Sequence, residues 1–191
     1  MGEIEIQLRL KLPLLLIIFI LIIELPAQNI NFEHISAQEG LSQVSVTCIN
    51  QDHVGFLWLG TYDGLNRYDG YNFKVFKKEI KNPNSLSHNF VKSLLVDRQG
   101  ILWVGTTGGG LNRYNAQTEQ FIHYGHDPEN STSLSHDDIQ IIYEDAAGTM
   151  WIGTWGGGLN KVVKSRNQDE NNSVDESVVF VHYRHDPQKM D

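Results

Sequence analysis

DHVGFLWLGTYDGLNRY, residues 52–68, is the stretch that decides the fold, because the same phrase returns twice later in the chain. It returns as DRQGILWVGTTGGGLNRY at residues 97–114 and as DAAGTMWIGTWGGGLNK at residues 145–161. Its tryptophans, Trp58, Trp103 and Trp151, stand 45 and 48 residues apart. A period in the forties is typical of a propeller blade, in which one repeat supplies four strands.

The segments within each repeat support that interpretation. A β-branched run precedes the phrase, the tryptophan lies in a second apolar run, a third begins at Leu-Asn, and a short aromatic segment follows. Asp52, Asp97 and Asp145 each open an Asp-x-x-Gly turn, because aspartate can accept backbone hydrogen bonds and glycine tolerates positive φ. The sequence therefore predicts an all-β propeller of about three four-stranded antiparallel blades in an incomplete ring. The three tryptophans are interpreted as packing residues between blades.

Residues 1–27 differ in character from the rest of the chain. Arg9 and Lys11 precede an apolar run from Leu12 to Ile23, and Ala27 offers a small residue for cleavage. The run is shorter than the ~20 residues of a membrane-spanning helix. This pattern is typical of a signal peptide, with a signal anchor as the alternative, and either one predicts that the remainder of the chain leaves the cytoplasm.

The rest of the chain divides into three parts. Residues 28–163 are predicted to hold blades one to three, with the first three strands of the third blade. Residues 164–177 are predicted to be an acidic loop insertion. Residues 178–191 hold the last strand of blade three and the lead-in to a fourth blade, since His185-Asp186-Pro187 repeats His126-Asp127-Pro128. Propellers close with four to eight blades, so the natural protein is expected to be longer.

Composition excludes several classes of function. The formal net charge is −8, which argues against nucleic acid or anionic lipid as a partner. Cys48 is the single cysteine, so neither an intrachain disulfide nor a cysteine-based metal site is expected. His126 and His185 are copies of one position in successive blades, too far apart to share one ion. No metal and no cofactor is predicted.

Strand parity locates a candidate ligand-binding face. In a four-stranded meander, the segment that enters strand one and the loop between strands two and three lie at the same edge of the sheet. Aromatic side chains there could stack on a sugar or another planar group, and the Gly-Gly-Gly runs either admit a ligand or only permit a tight turn. The candidate ligand-binding residues are Tyr62, Asp63, His88, Thr107, His136 and Trp155.

A catalytic interpretation is weaker. Glycoside hydrolysis needs acidic residues that converge on one site, whereas Asp52, Asp97 and Asp145 recur as turn residues on the opposite face. No catalytic residue is predicted. Two alternatives to ligand sensing stay open: a secreted or periplasmic propeller that presents a face to protein partners, and a glycan lyase or hydrolase whose catalytic residues lie in blades outside this sequence.

The phrase Asp-x-x-Gly-x-x-Trp-x-Gly-Thr, followed by Gly-Leu-Asn-Arg-Tyr and preceded by Ser-Leu-Ser at residues 85–87 and 133–135, resembles the two-component regulator propeller repeat. The resemblance extends from about residue 30 to the end. It implies the periplasmic sensor region, on the extracytoplasmic side of a bacterial inner membrane, of a two-component signal transduction protein. The output of such a protein is a histidine kinase or a diguanylate cyclase beyond a membrane helix. The resemblance also implies a small polar ligand, such as an oligosaccharide, and a homodimer in the full-length form. Membrane contact would come only through a signal anchor or that later helix.

Overall fold

The computed structural model describes residues 31–32, 34–168 and 174–184. The chain divides into two compact units, Met1–His34 and Ile35–Asp191, and every element described below lies in the second. The predicted signal segment and the predicted lead-in after residue 184 lie outside the described residues. Among the residues described, there is no helix with the length and apolarity needed to cross a bilayer.

In the described part of the chain, twelve strands form three separate four-stranded antiparallel sheets, each a meander in chain order. A 3-10 helix at Ala37–Glu39 precedes them and ends at Gly40, whose φ is +108°. Blade one contains β1 (Val46–Gln51), β2 (Leu57–Thr61), β3 (Gly64–Tyr68) and β4 (Phe73–Phe76). Blade two contains β5 (Val91–Val96), β6 (Leu102–Thr106), β7 (Leu111–Asn115) and β8 (Gln120–Tyr124). Blade three contains β9 (Ile139–Glu144), β10 (Met150–Thr154), β11 (Gly158–Gln168) and β12 (Val174–Tyr183). The predicted all-β propeller architecture is confirmed.

The hydrophobic core lies between the blades. Side chains alternate across each strand, so every blade has two apolar faces. One face of each blade bears the repeat tryptophan and is called the Trp face; the other is called the aliphatic face. The Trp face of blade one packs on the aliphatic face of blade two, where Trp58 and Leu65 meet Val104 and Tyr114. The Trp face of blade two packs in the same way on blade three, where Trp103 and Leu111 meet Ile152.

The segment directly before the first strand of a blade, residues 84–90 in blade two and 132–138 in blade three, is called the lead-in. It covers the outer edge of that same blade. The Phe121 N–H on β8 donates to the carbonyl of Asn84 at 2.8 Å, and the Phe180 N–H on β12 donates to the carbonyl of Thr132 at 2.9 Å. These bonds satisfy groups that an edge strand would otherwise leave open to pairing with another chain.

The predicted acidic loop at 164–177 needs correction. Residues 164–168 and 174–177 are not irregular, because β11 and β12 continue as a paired hairpin as far as Gln168 opposite Val174. The physical reason is cross-strand pairing: the two halves of the insertion hydrogen-bond to each other, which the polar composition of either half alone does not indicate. Residues 169–173 lie outside the described residues.

Candidate ligand-binding face

The lead-in segments and the loops between second and third strands lie together on one end of the blades, which is called the lead-in face. Within blade two, the Thr107 N–H donates to the carbonyl of Phe90 at 3.0 Å. Within blade three, the Trp155 N–H donates to the carbonyl of Asp138 at 2.9 Å. The two kinds of segment therefore lie at the same edge of the sheet, as strand parity predicts.

Neighbouring blades are joined on this face by backbone hydrogen bonds. The Gly64 N–H of blade one donates to the carbonyl of Asn89 in the lead-in of blade two, at 2.8 Å. The Gly110 N–H of blade two donates to the carbonyl of Asp137 in the lead-in of blade three, also at 2.8 Å. The lead-in of each blade thus holds the loop of the blade before it.

Two glycines of the Gly-Gly-Gly loop in blade two have different roles. A Cβ on Gly109 would lie 2.6 Å from the Cβ of His88 and 2.7 Å from the hydroxyl of Ser87. Gly109 therefore lets the loop pack on the lead-in and leaves no room there for a ligand. Gly108 has φ +78°, and a Cβ at this position would meet nothing within 4 Å, so its surroundings are open. Gly108 and Gly110, whose φ is +72°, both have the positive φ that the tight-turn interpretation of this loop requires.

Tyr62 lies against an aromatic residue that the sequence interpretation missed. Its ring centroid is 4.4 Å from that of Phe90, at an interplanar angle of 58°. Tyr62 is 52 % exposed, and the Lys92 ammonium lies 5.7 Å from the Phe90 ring centroid. Because Tyr62 belongs to blade one and Phe90 to blade two, the pair forms an apolar platform across the blade junction. In the sequence, the only indication of this pair was that the aromatic residue Phe90 follows Asn89 directly before β5.

Asp63 is already engaged by its neighbours. Its carboxylate accepts from the Lys77 ammonium at 2.6 Å and from the Asn89 side-chain amide at 3.1 Å. The second bond crosses from blade one to blade two. Asp63 thus holds the loop of blade one beside the lead-in that carries His88, and a ligand would have to compete with two existing partners.

His88 and His136 have the same local geometry in successive blades. The Nδ1 atom of His88 accepts the Phe90 N–H at 3.1 Å, and that of His136 accepts the Asp138 N–H at 3.0 Å. An imidazole nitrogen that accepts a hydrogen bond carries no proton, so Nε2 carries the N–H in each neutral ring. Each ring is therefore oriented by its own lead-in and can offer one donor.

The six predicted residues fall into two groups. Tyr62, Asp63, His88 and Thr107 surround the blade-two lead-in at residues 88–90, through the contacts described above. His136 and Trp155 lie one blade further along, around residues 136–138, and Trp155 is 68 % exposed. The two groups share the oriented histidine but not the aromatic pair, because Thr107 occupies the position of Tyr62 and Asp138 that of Phe90; they are joined through the Gly110–Asp137 bond.

The opposite end of the blades carries the Asp-x-x-Gly turns. Each turn carboxylate accepts the indole N–H of the tryptophan six residues later, at 2.7 Å for Asp52, 2.9 Å for Asp97 and 2.8 Å for Asp145. The same carboxylates accept backbone N–H groups of their turns. The indole N–H of Trp151, followed by the backbone N–H of Thr149, holds the pKa of Asp145 below its ordinary value.

Those bonds define the chemistry of the turn aspartates. Every turn carboxylate is tied to the tryptophan of its own repeat, so the three acids do not converge on one point. Glycoside hydrolysis requires two acidic groups across one scissile bond, and the turn aspartates do not provide that arrangement. An open depression of about 440 Å³ also lies at this end, between blades one and two, and is lined by residues that include His53, Gly100 and Gln117.

A buried asparagine in each repeat completes the lead-in face and was missed by the sequence interpretation. In blade two, Asn112 accepts the Ser87 N–H at 3.0 Å and donates to the Ser87 hydroxyl at 2.8 Å. Its amide also donates to the carbonyl of Val104 at 3.2 Å. Asn66 and Asn160 repeat these bonds with Ser42 and Ser135. The sequence indicated this network only indirectly, because every repeat that has Leu-Ser in its lead-in also has Leu-Asn in its third strand.

Each blade is closed by an Asp–Trp bond at one end and by an Asn–Ser network at the other. This recurrence defines the chain as part of a repeat-built β-propeller. The family model for the two-component regulator propeller matches it three times, at residues 40–63, 85–108 and 133–156. Each of the three repeats of this chain is similar to the repeat that this family model describes. The predicted resemblance is confirmed, and each matched segment runs from a lead-in to the loop after the second strand.

Solved structures of similar proteins support this assignment. The chain is similar to the extracellular domain of the hybrid two-component system BT3049 from B. thetaiotaomicron, with a TM-score of 0.67 and 29 % identity over 79 % of this chain. It is also similar to the extracellular domain of the hybrid two-component system BT4673 from the same organism, with a TM-score of 0.55 and 29 % identity over 70 % of this chain. The matched regions are 20 % and 18 % of those two chains.

A curated relative carries the same sequence signal. The chain is 46 % identical over 67 residues to histidine kinase P4 of Formosa agariphila, a match that covers 34 % of this chain and 5 % of the kinase. The chain therefore spans a small part of the length of each relative named. What it shares with them is the propeller segment of proteins described as two-component systems or as a histidine kinase.

Proposed function

We propose that this chain is part of the extracytoplasmic sensor region of a bacterial two-component signal transduction protein, and that it binds a small polar ligand on the lead-in face. The observation that carries the proposal is the threefold match to two-component regulator propeller repeats, together with similarity to two extracellular domains of hybrid two-component systems. The kinase or cyclase output would lie elsewhere in the full-length protein. The proposed location is the periplasmic side of the inner membrane.

The lead-in face is the proposed ligand site because it combines exposed rings with oriented polar groups. Tyr62 contacts Phe90 at a tilted angle across a blade junction, and Trp155 is exposed one blade further along. The Nε2–H groups of His88 and His136 supply donors on the same face. Flat apolar rings with adjacent hydrogen-bond donors suit the alternating apolar faces and hydroxyl groups of a sugar. Oligosaccharides are therefore the proposed ligand class.

Binding measurements with matched variants test this site. Isothermal titration of the purified chain against a set of defined neutral and acidic oligosaccharides is expected to give at least one saturable ligand. Tyr62→Ala and Trp155→Ala are each expected to weaken binding of that ligand by about fivefold, because each stacking contact contributes roughly 1 kcal/mol. His53→Ala, which alters the depression on the opposite end of the blades, is the control and should leave affinity unchanged.

Each outcome of that experiment has a distinct meaning. Binding that survives both aromatic substitutions but is lost in His53→Ala would move the ligand to the Asp-turn end. If other small polar solutes bind but no oligosaccharide does, the proposed face would stand and the proposed sugar class would be rejected.

The proposed location has its own test. Fusion of residues 1–191 to alkaline phosphatase in a bacterial host should give an active enzyme in the periplasm. An inactive fusion protein that stays in the cytoplasm would contradict the proposed location.

A further inference from the structure

The two internal blade junctions differ at the end that carries the Asp-x-x-Gly turns. In the junction of blades two and three, Oδ2 of Asp97 accepts the indole N–H of Trp103 at 2.9 Å and a hydrogen bond from the Lys164 ammonium at 3.3 Å. The same ammonium lies 5.4 Å from the centroid of the Trp103 ring. A lysine from the following blade therefore covers the turn carboxylate and the tryptophan together.

The junction of blades one and two does not have this lysine. In the aligned repeats, Ala116 stands where blade three has Lys164, five residues after the leucine of Leu-Asn in each case. Oδ2 of Asp52 accepts the indole N–H of Trp58 at 2.7 Å, as its counterpart does. Among the residues that the structure describes, however, Asp52 forms no ion pair. A carboxylate oxygen can accept two hydrogen bonds, so this Oδ2 keeps the acceptor position that Asp97 gives to a lysine.

The depression of about 440 Å³ at this end lies where the lysine is missing. Asp52, Trp58 and Ala116 all line it, and Tyr114 and Gln117 add a phenol ring and an amide. Its volume falls in the range of small-molecule sites, about 300–1,000 Å³. All of its lining residues belong to blades one and two, which pack directly on each other, so its shape is set by this one internal junction.

The cationic side chains near the depression are engaged in other contacts. The guanidinium of Arg67 lies 5.7 Å from the Trp58 ring centroid and pairs with Glu119 at 3.2 Å. Arg113 also lines the depression, but its guanidinium lies 5.9 Å from the ring of Trp103, in the next junction. Trp103 thus has one cation from its own blade and one from the following blade. Within the described part of the chain, Trp58 has only the cation from its own blade.

We propose that the depression between blades one and two binds a primary ammonium group on an alkyl stem, carried by a free alkyl diamine or by a lysine side chain of a peptide. The ammonium donates to Oδ2 of Asp52 and lies near the Trp58 ring, as Lys164 does in the next junction. A charge-assisted hydrogen bond and an aromatic ring both favour a cation at that point. The site lies at the opposite end of the blades from the lead-in face, so the proposal does not rest on the ligand proposed for that face.

The test is a titration of the isotopically labelled full chain, followed by NMR through the indole N–H resonances at about pH 7, where alkylamines are protonated. The probes are cadaverine, as a free diamine, and acetyl-lysine methylamide, as a lysine side chain; the tighter of the two identifies the source of the ammonium. The Trp58 resonance is expected to shift saturably, because its acceptor Asp52 receives the ammonium. The Trp103 resonance is expected to stay in place, because Lys164 already occupies the equivalent position. Pentanol, which has a similar stem and no charge, should give no saturable shift.

Two matched lysine variants separate the depression from general charge effects. Ala116→Lys supplies the missing ammonium from the chain itself and is expected to weaken cadaverine binding by about tenfold, because a tethered group competes at high effective concentration. Ala146→Lys adds the same charge in the Asp turn of blade three, outside the depression, and should leave binding unchanged. Both alanines are exposed, so folding is expected to survive, and circular dichroism checks it.

The reciprocal variant tests the equivalence of the two junctions. Lys164→Ala opens the position beside Asp97, and the Trp103 resonance should then respond to cadaverine as that of Trp58 does. A Trp58 resonance that does not move with either amine would overturn the proposal, as would equal shifts with pentanol or undiminished binding by Ala116→Lys. Equal weakening in Ala146→Lys would also overturn it, because net charge and not the depression would then govern binding. A Trp103 resonance that stays silent in Lys164→Ala would contradict the equivalence on which the proposal rests.

Discussion

Asp97 accepts the indole N–H of Trp103 at 2.9 Å, and both residues are almost completely enclosed between blades two and three. The carboxylate also accepts the N–H groups of Gln99 and Ile101, and the Lys164 ammonium of blade three lies 3.3 Å away. One aspartate thus closes the turn, orients the tryptophan and ties two blades together. The equivalent Asp145 makes the first two sets of bonds in a more exposed setting.

Asp97→Ala is expected to destabilise the chain more than Asp145→Ala. The first substitution leaves the buried indole N–H of Trp103 and two partly buried backbone N–H groups without their acceptor, at a cost of about 3 kcal/mol, whereas water can replace part of the loss at Asp145. Urea denaturation of both variants measures the difference. Lys164→Met, which keeps the apolar stem, should cost less than Asp97→Ala, because the carboxylate keeps its hydrogen bonds from Gln99, Ile101 and Trp103. Equal losses at Asp97 and Asp145 would contradict this account.

Asn112→Ala is expected to destabilise blade two by about 3 kcal/mol, because it removes the three hydrogen bonds of a fully buried side chain. Ser87→Ala removes only the hydroxyl partner and should cost about 1 kcal/mol. A double-mutant cycle between the two positions should give a coupling free energy clearly different from zero. Simple additivity would show that the Asn–Ser bonds do not act as one network.

Gly109→Ala and Gly108→Ala separate steric packing from backbone strain within one loop. The Gly109 substitution places a methyl group against His88 and Ser87 and is expected to cost about 2 kcal/mol. The Gly108 substitution meets no neighbour but must hold alanine at φ +78°, at about 1 kcal/mol. Thermal or urea unfolding ranks the two. A larger loss at Gly108 would mean that the loop does not pack on the lead-in as described.

Glu119 makes part of the junction between blades one and two sensitive to acid. Its carboxylate pairs with Lys74 and with Arg67, the latter at 3.2 Å. The hydrogen bond from Lys74, followed by the charges of Lys74 and Arg67, lowers the pKa of Glu119. A lowered pKa in the folded chain means that the stabilisation is present above the pKa of the unfolded chain and is lost as pH falls through the folded value. The free energy of unfolding of wild type minus Glu119→Gln should therefore shrink as pH falls from about 7 to about 3; a constant difference would contradict the ion-pair account.

The repeat phrase was sufficient to predict most of the blade. Its period, the positions of Trp58, Trp103 and Trp151, and the two-residue alternation of the strands depend on neighbours within one blade, so local patterns report them. The end of the sheet that carries Tyr62, His88 and Trp155 also followed from strand parity. The partners of these residues were not predictable, because Phe90 reaches Tyr62 and Asn89 reaches Asp63 only when two blades lie side by side.

Three features of the prediction depended on tertiary context. The insertion at 164–177 has the composition of a polar loop because each half is polar, yet β11 and β12 pair across it. Asp52, Asp97 and Asp145 were interpreted as turn residues, and their bonds to the tryptophans required the folded turn. Asn66, Asn112 and Asn160 resembled ordinary strand residues, and their role emerges only when the lead-in lies across strand three.

The sequence by itself determined the number of blades described, the order of their strands, the turn chemistry and the family of the repeat, because each of these is encoded within one period of about 45 residues. The tertiary structure alone decided which copy of a repeated residue is buried. Leu111 and Leu159 occupy the same position in the phrase, but Leu111 is packed beneath blade three and Leu159 is 40 % exposed. Identical local patterns therefore acquire different burial, because burial depends on the neighbouring blade and not on the residue itself.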